Sequence, residues 1–425
     1  MTVFVIQFPR CNLTDLPIPH DPKPQNGNGF GSLNMSNSKI DGDLIMQGAK
    51  ILHGVRMNGV HVNGDMSLQD VNVKNGIDLT SSQIGNDLIM WCGEFDKLLG
   101  MRGNIRGDLG MGGAIFLSEI NLTASSIGSD LKLGRGKCHG VDRDIRFDGE
   151  LDMHGIKIAR SLALVDGNFN KTVDLSLAEI GSVEYKGIKN LQKLDLTGAN
   201  VKRIEVTINS EKEWPRNLTA LGFTYDQFIV TPKDDALKKQ ELFTAWLGKM
   251  PEYTPQPYEQ CAKILRQGGN SDKADEVLHA GKEKERETAW DNNEWAHWAK
   301  LWLQRMFVGY GIGSGCFWSL FWVLGFCLLG AVIVLPDCGK QEEIDTKTRE
   351  GKTTLRELCA SSAPRTFLNC CAYSLDMLLP VIRLREKHYE IDLPGRKRYY
   401  FYLHRIFGWI LGFFIIAGMS GLTQR

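Results

Sequence analysis

Residues 40–46 read IDGDLIM, and the same seven-residue phrase returns as VNGDMSL at 62–68, IGNDLIM at 84–90, IRGDLGM at 105–111, IGSDLKL at 127–133 and FDGELDM at 147–153. Its acidic position falls at Asp43, Asp65, Asp87, Asp108, Asp130 and Glu150, in steps of 22, 22, 21, 22 and 20. An internal period of this length sets the architecture before any local propensity is weighed. Counted from the acid, apolar residues stand three before it (Ile40, Val62, Ile84, Ile105, Ile127, Phe147), one after it (Leu44, Met66, Leu88, Leu109, Leu131, Leu151) and three after it (Met46, Leu68, Met90, Met111, Leu133, Met153). All three offsets are odd, so in an extended chain the apolar groups share one face and the acid stands on the other.

Half a repeat later a second extended segment is marked by Val55/Met57, Ile77/Leu79, Leu99/Met101 and Ile120/Leu122. Two strands and two Gly/Asn/Ser-rich corners in about 22 residues describe one coil of a parallel β-solenoid. The pattern loosens after Arg160 but persists in SLAL, VDLSL and KLDLTGANV, which predicts eight or nine coils. At roughly 4.8 Å per coil, that is a rod of roughly 40 Å. The acids form a potential surface ladder that could collect cations. The structural alternative is that each carboxylate serves nearby backbone N–H groups.

Composition shifts after about residue 209. Tyr258, Ala262 and Leu265, then Ala274, Val277 and Leu278, mark two amphipathic helices separated at Gly268–Gly269, the pattern of a helical hairpin. Trp295, Trp298 and Trp302, with Lys300 and Arg305 nearby, suit a helix lying at a lipid headgroup boundary. Residues 316–335, CFWSLFWVLGFCLLGAVIVL, carry no charge over a length that crosses a hydrocarbon core. A second candidate span, 406–422, follows an aromatic and basic collar and contains Gly408 and Gly412 in GxxxG spacing, a motif for close helix packing. Between them, 367–382 reads as a re-entrant or interfacial helix in which Asn369, Ser374 and Asp376 interrupt the apolar face. Asp376 leads these as a candidate functional residue.

The expected organisation is therefore a mixed fold. A lead-in and cap occupies 1–39, a β-solenoid 40–209, a helical neck 210–305, and an α-helical membrane domain 306–425. Fifty Lys+Arg balance fifty Asp+Glu, so no overall field recruits nucleic acid, and none is expected as a partner. Ten cysteines include no CxxC, which argues against zinc ribbons and dithiol redox motifs; isolated buried thiols are expected for most of them. Cys338 and Cys359 could pair if the loop holding them is extracytoplasmic. The N-terminal MTVFVIQFPR lacks a basic leader, so the solenoid is expected in the cytoplasm.

The stretches WPRNLTALGFTY at 214–225, PQPYEQCAKILRQG at 255–268, VGYG at 308–311 and YSLDMLLP at 373–380 resemble a family of bacterial membrane proteins. That family joins pentapeptide-like or bactofilin-like β-solenoid repeats to a C-terminal two-helix membrane segment. The resemblance implies an inner-membrane location, and some members carry a membrane-associated oxidoreductase label. The residues give that label no cofactor motif: there is no GxGxxG, HExxH or GxSxG. The sequence thus predicts a non-catalytic scaffold or sensor without cofactor or metal. Its partners would be the bilayer, a protein on the solenoid surface and further copies through the membrane helices. The alternative is an oligomeric channel or membrane-permeabilising effector gated by the solenoid.

Overall fold

The computed structural model describes residues 6–7, 33–51, 54–97, 100–208, 211–232, 244–313, 318–339, 363–379, 388 and 396–419. They fall into two units, Met1–Val277 and Leu278–Arg425.

The first unit is a parallel β-solenoid. Its longest column of paired residues runs Ile40, Val62, Ile84, Ile105, Ile127, Ile158, Ile180, Val201, Tyr225, which is nine rungs. Each coil carries four short strands where the sequence pattern suggested two. In the first full coil these are Lys39–Ile40, Leu44–Ile45, Lys50–Ile51 and Val55–Arg56. The reason lies in the spacing of buried residues: Ile40, Ile51, Val62, Val73, Ile84 and Phe95 are each 11 apart, so a coil is two similar half-coils. Most half-coils turn on a residue with positive φ, such as Gly48, Gly59, Asp70 and Ser81, which is why Gly, Asn and Asp crowd the corners.

Inward side chains stack on their counterparts one coil away. The third ladder carries Phe95, Phe116, Phe147 and Phe169 in a continuous column with ring centroids 5.2, 5.0 and 5.0 Å apart. All four are fully buried.

This column corrects the sixth repeat. Phe147 pairs with Phe116 and Leu151 with Ile120, so neither continues the column of Ile127 and Leu131. Ile127 pairs instead with Ile158 and Leu131 with Leu162, a step of 31 residues. An antiparallel hairpin, Gly136–Cys138 with Val141–Arg143, is inserted in that coil. Since the half-coils repeat every 11 residues, the motif 20 residues after Asp130 is the equivalent from the other half of the same coil, 31 less 11.

The β-coils also continue beyond residue 209. Thr224–Pro232 pairs with Asn200–Ile208 and forms the last rung. A terminal rung exposes backbone groups to further pairing, and this one is closed by the helix Pro255–Gln267. Gln256 donates from Nε2 to the Phe223 carbonyl at 3.0 Å and accepts from the Gly222 N–H at 3.0 Å. Gln260 donates to the Tyr225 carbonyl at 2.8 Å. Trp214, Phe223 and Phe228 meet Trp246 over the end of the core. The PQPYEQ stretch is thus a solenoid cap. The chain then turns at Gly268 and Gly269 into the helix Ser271–Asp291, so the two expected helices are present on either side of the glycine pair.

The second unit contains the helices Trp295–Val308, Trp318–Gly339, Ala363–Leu378 and Arg396–Met419. Ala331, Val334, Cys370, Tyr373, Met377 and Phe401 form its apolar centre. Among the described residues one helix segment, Trp318–Pro336, is long and apolar enough to cross a membrane, with mean hydropathy 2.4. The expected second span, 406–422, falls partly within the helix ending at Met419 and partly outside the described residues. Of the expected re-entrant segment 367–382, the part to Leu378 is the end of an ordinary α-helix packed in this unit.

Removing one ring from the column should be costly. Phe116→Ala is expected to destabilise the solenoid by about 3–5 kcal/mol, whereas Leu117→Ala, half exposed beside it, should change stability by about 0.5 kcal/mol or less. Urea midpoints followed by far-UV circular dichroism check the contrast.

Candidate functional site

The acidic ladder is built from the backbone outward. In each coil the aspartate follows a tight corner whose next-coil N–H points along the rod, and the carboxylate reaches over to accept it. Asp43 Oδ1 accepts from the Asp65 N–H at 2.9 Å, Asp65 from Asp87 at 3.1 Å, Asp87 from Asp108 at 2.7 Å and Asp108 from Asp130 at 3.0 Å. Asp130 ends the chain on Ser161, accepting from both its N–H and its hydroxyl. Glu150, expected as the sixth rung, is exposed on the other half of the coil, where its carbonyl accepts the Ile120 N–H.

The glycine beside the acid is explained by the same contact. A Cβ at Gly64 would lie 2.0 Å from Asp43 Oδ1, and one at Gly107 would lie 2.1 Å from Asp87 Oδ1. The ladder's carboxylates meet cations as well: Lys132 Nζ lies 2.5 Å from the remaining oxygen of Asp108, Oδ2, and Arg160 Nε lies 3.6 Å from Asp130 Oδ1, the oxygen that also serves Ser161. Burial works to raise the Asp108 pKa, but the Lys132 ammonium and the Asp130 N–H overcome it and hold the carboxyl below its usual range. The geometry favours the backbone role over cation collection.

A second polar column escaped the sequence reading. Asp78, Asn121, Asp152, Asp174 and Asp195 each accept from the N–H two residues ahead, at 2.8–3.0 Å. Its trace in the sequence is the short phrase DLT, NLT, DMH, DLS, DLT, which is legible once the half-coil is known. Burial opposes charge on Asp195, yet hydrogen bonds from Thr197 and Lys193 prevail and lower its pKa to about 2.

In the second unit, Asp376 is buried and its Oδ2 is 2.5 Å from Nδ1 of buried His388. Ser374, also buried, meets His404 Nε2 through its hydroxyl at 3.3 Å and its carbonyl at 3.1 Å, while Tyr400 reaches the other ring nitrogen at 3.2 Å. Asn369 is half-buried on the same helix. Neither histidine was singled out from sequence; no local spacing links residue 388 or 404 to the helix they meet. Gly408 lets a helix backbone approach Leu378 so closely that a Cβ would lie 1.4 Å from its carbonyl oxygen, whereas a Cβ at Gly412 would meet nothing within 4 Å. Gly408 is therefore used in packing within the chain. The proposed Cys338–Cys359 pair lies outside the residues whose side chains are described. Among the described residues, no group of three or more His, Cys, Asp or Glu could hold a metal.

A pairing that the sequence did not suggest is a disulfide between Cys92, at a solenoid corner, and Cys138, on the inserted hairpin. It departs from the expectation of isolated thiols. The described Cys261, Cys327, Cys370 and Cys371 are free.

Comparisons with protein families, curated proteins and solved structures find no match to this chain.

Two outcomes test the roles of the polar columns. Asp87→Ala removes the acceptor for a part-buried N–H and is expected to cost about 1–3 kcal/mol, while Asp87→Asn, which keeps an oxygen, should recover most of it. Thermal melts of the three proteins separate the cases. For Asp195, the folded pKa lies below the unfolded value of 3.8, so its stabilisation is present above about pH 4 and is lost as pH falls towards 2. The acid limb of a pH–stability curve should be shallower in Asp195→Asn.

Proposed function

We propose that this protein is a non-catalytic, membrane-held scaffold or sensor, in which the solenoid offers a rigid surface to a protein partner and the helical unit anchors the chain in a bilayer. The observation that carries the anchoring is the exposure of the helix Trp318–Gly339. In Trp318–Pro336 only 28% of the most apolar window is buried, and Phe321, Leu324 and Val332 expose 69%, 56% and 55% of their surface. Leaving such a face in water costs on the order of 10 kcal/mol, since each large apolar side chain contributes about 1.5–3 kcal/mol when fully withdrawn. A bilayer removes that cost.

The helix Arg396–Met419 supports a second crossing. Phe326 touches both His404 and Phe407, and Val334 clusters with Phe401, so the two helices run antiparallel. Trp409, Phe413 and Ile416 are exposed, by 61%, 69% and 62%. The exposed Tyr399 and Tyr402, beside Arg396, Lys397 and Arg398, would sit at an interface. The resemblance to bacterial membrane proteins with solenoid repeats points the same way and suggests the inner membrane.

The scaffold role draws on the solenoid itself. Nine rungs in register present outward side chains in straight columns, a surface suited to an extended partner. The second reading, an oligomeric ion pathway, draws on the buried polar set Ser374, Asp376, His388 and His404 inside an apolar bundle.

The full-length protein is expected to pellet with membranes and to stay there through alkaline carbonate extraction. A Leu324→Lys, Leu328→Lys variant should be released. Release of the unaltered protein by carbonate would overturn the anchoring. Reconstituted in liposomes, it should give no ion flux; flux abolished by Asp376→Asn would replace the scaffold with the pore.

A further inference from the structure

We propose that Cys92 and Cys138 are an oxidative modification site, joined by thiol–disulfide exchange in an oxidising compartment where the solenoid folds. The argument starts from what the hairpin lacks. It has three paired rungs, Gly136↔Arg143, Lys137↔Asp142 and Cys138↔Val141, and a two-stranded ribbon of that size is marginal alone. The repeat does not need it, because the rungs on either side remain in register across the 31-residue coil. Its position must therefore be fixed by contacts of its own.

Those contacts converge on Cys92. Arg143 donates from Nη2 to the Cys92 carbonyl at 2.5 Å and from Nε to the Gly113 carbonyl at 2.5 Å, and its other nitrogen approaches Glu94 at 3.4 Å. Beside this guanidinium clamp the Cα atoms of Cys92 and Cys138 lie 5.5 Å apart, within the range of a disulfide. The Cys138 sulfur also fills the space above Gly113, where a Cβ would lie 2.6 Å from it. Cys92 has φ +59°, in a column of corners otherwise occupied by Gly48, Asp70 and Gly113, so backbone preference does not explain a cysteine there.

The balanced step consumes a disulfide-bearing oxidant: Cys92–SH and Cys138–SH give up two protons and two electrons, the sulfurs join, and the oxidant leaves as two thiols. With 7% and 6% of their surfaces exposed, the two residues meet the oxidant before the hairpin docks and are shielded afterwards. Disulfides persist in secreted, periplasmic and other oxidising settings. If the chain is anchored as proposed above, the solenoid then faces away from the cytoplasm, contrary to the expectation from its N-terminus.

The test uses full-length protein in cells of the bacterial type the resemblance indicates, quenched in acid, blocked with N-ethylmaleimide and digested for mass spectrometry. A linked Cys92–Cys138 peptide in the quenched sample is expected. Both cysteines carrying maleimide, or a link that forms only when the quench is omitted, would overturn the site. Independently, Cys92→Ser with Cys138→Ser should keep the far-UV spectrum of the solenoid while trypsin cleavage at Lys137 and Arg143 accelerates at least tenfold; an unchanged rate would remove the clasp role. The quenched-cell readout does not depend on membrane association, so a failed anchor leaves it standing.

Discussion

Parallel pairing of every coil with the one before it is the constraint on which this molecule rests. A residue in a solenoid sees its own counterpart above and below, so a good side chain at one position is stabilised by repeating it. The phenylalanine column and the aspartate ladder are two expressions of this rule. The first fills a line of the interior with stacked rings. The second lets a carboxylate in one coil satisfy a backbone N–H in the next, turning a local corner requirement into a bond between layers. Because the bond runs along the rod, losing one aspartate affects two coils.

That same rule explains what the sequence made legible. The 22-residue period, the inward positions and the outward acids through Asp130 were visible because each is repeated. The rule also explains the error at the sixth repeat. Two half-coils with similar apolar spacing are hard to tell apart, and the hairpin insertion shifted the register by an amount that left a plausible motif in view. Only the stacking partner of Phe147 reveals the slip. Single events, by contrast, leave no periodic trace: the Cys92–Cys138 link spans 46 residues, and the glutamines that close the last rung meet carbonyls more than 30 positions earlier.

The helical unit was read by a different signal. Hydropathy marks a helix whose surface is apolar, and Trp318–Pro336 satisfies it with most of its window exposed. It does not reveal the interior of a bundle, where Ser374, Asp376, His388 and His404 are matched across long stretches of sequence. Asp376 could be singled out as an anomaly within an apolar helix, but its partner could not. Polar groups here cluster because each would be costly alone in such surroundings, which is a statement about packing before it is one about function.

A stacked rod separates the demands of folding from those of recognition more sharply than a globular core does. Inward positions are set by neighbouring coils, and two outward polar columns are also committed: one to the N–H groups of the following coil, the other to Asx turns within its own. Neither column is spare, so an array of acids on the surface does not by itself amount to a ligand site. Corners are freer. The coil that carries the hairpin has gained about nine residues without disturbing the rungs on either side, because a longer excursion adds only a slowly growing closure cost. Variation at corners is therefore the route by which a repetitive rod acquires a feature found at one place along its length, and such a feature needs its own attachment, here a guanidinium clamp and a covalent link.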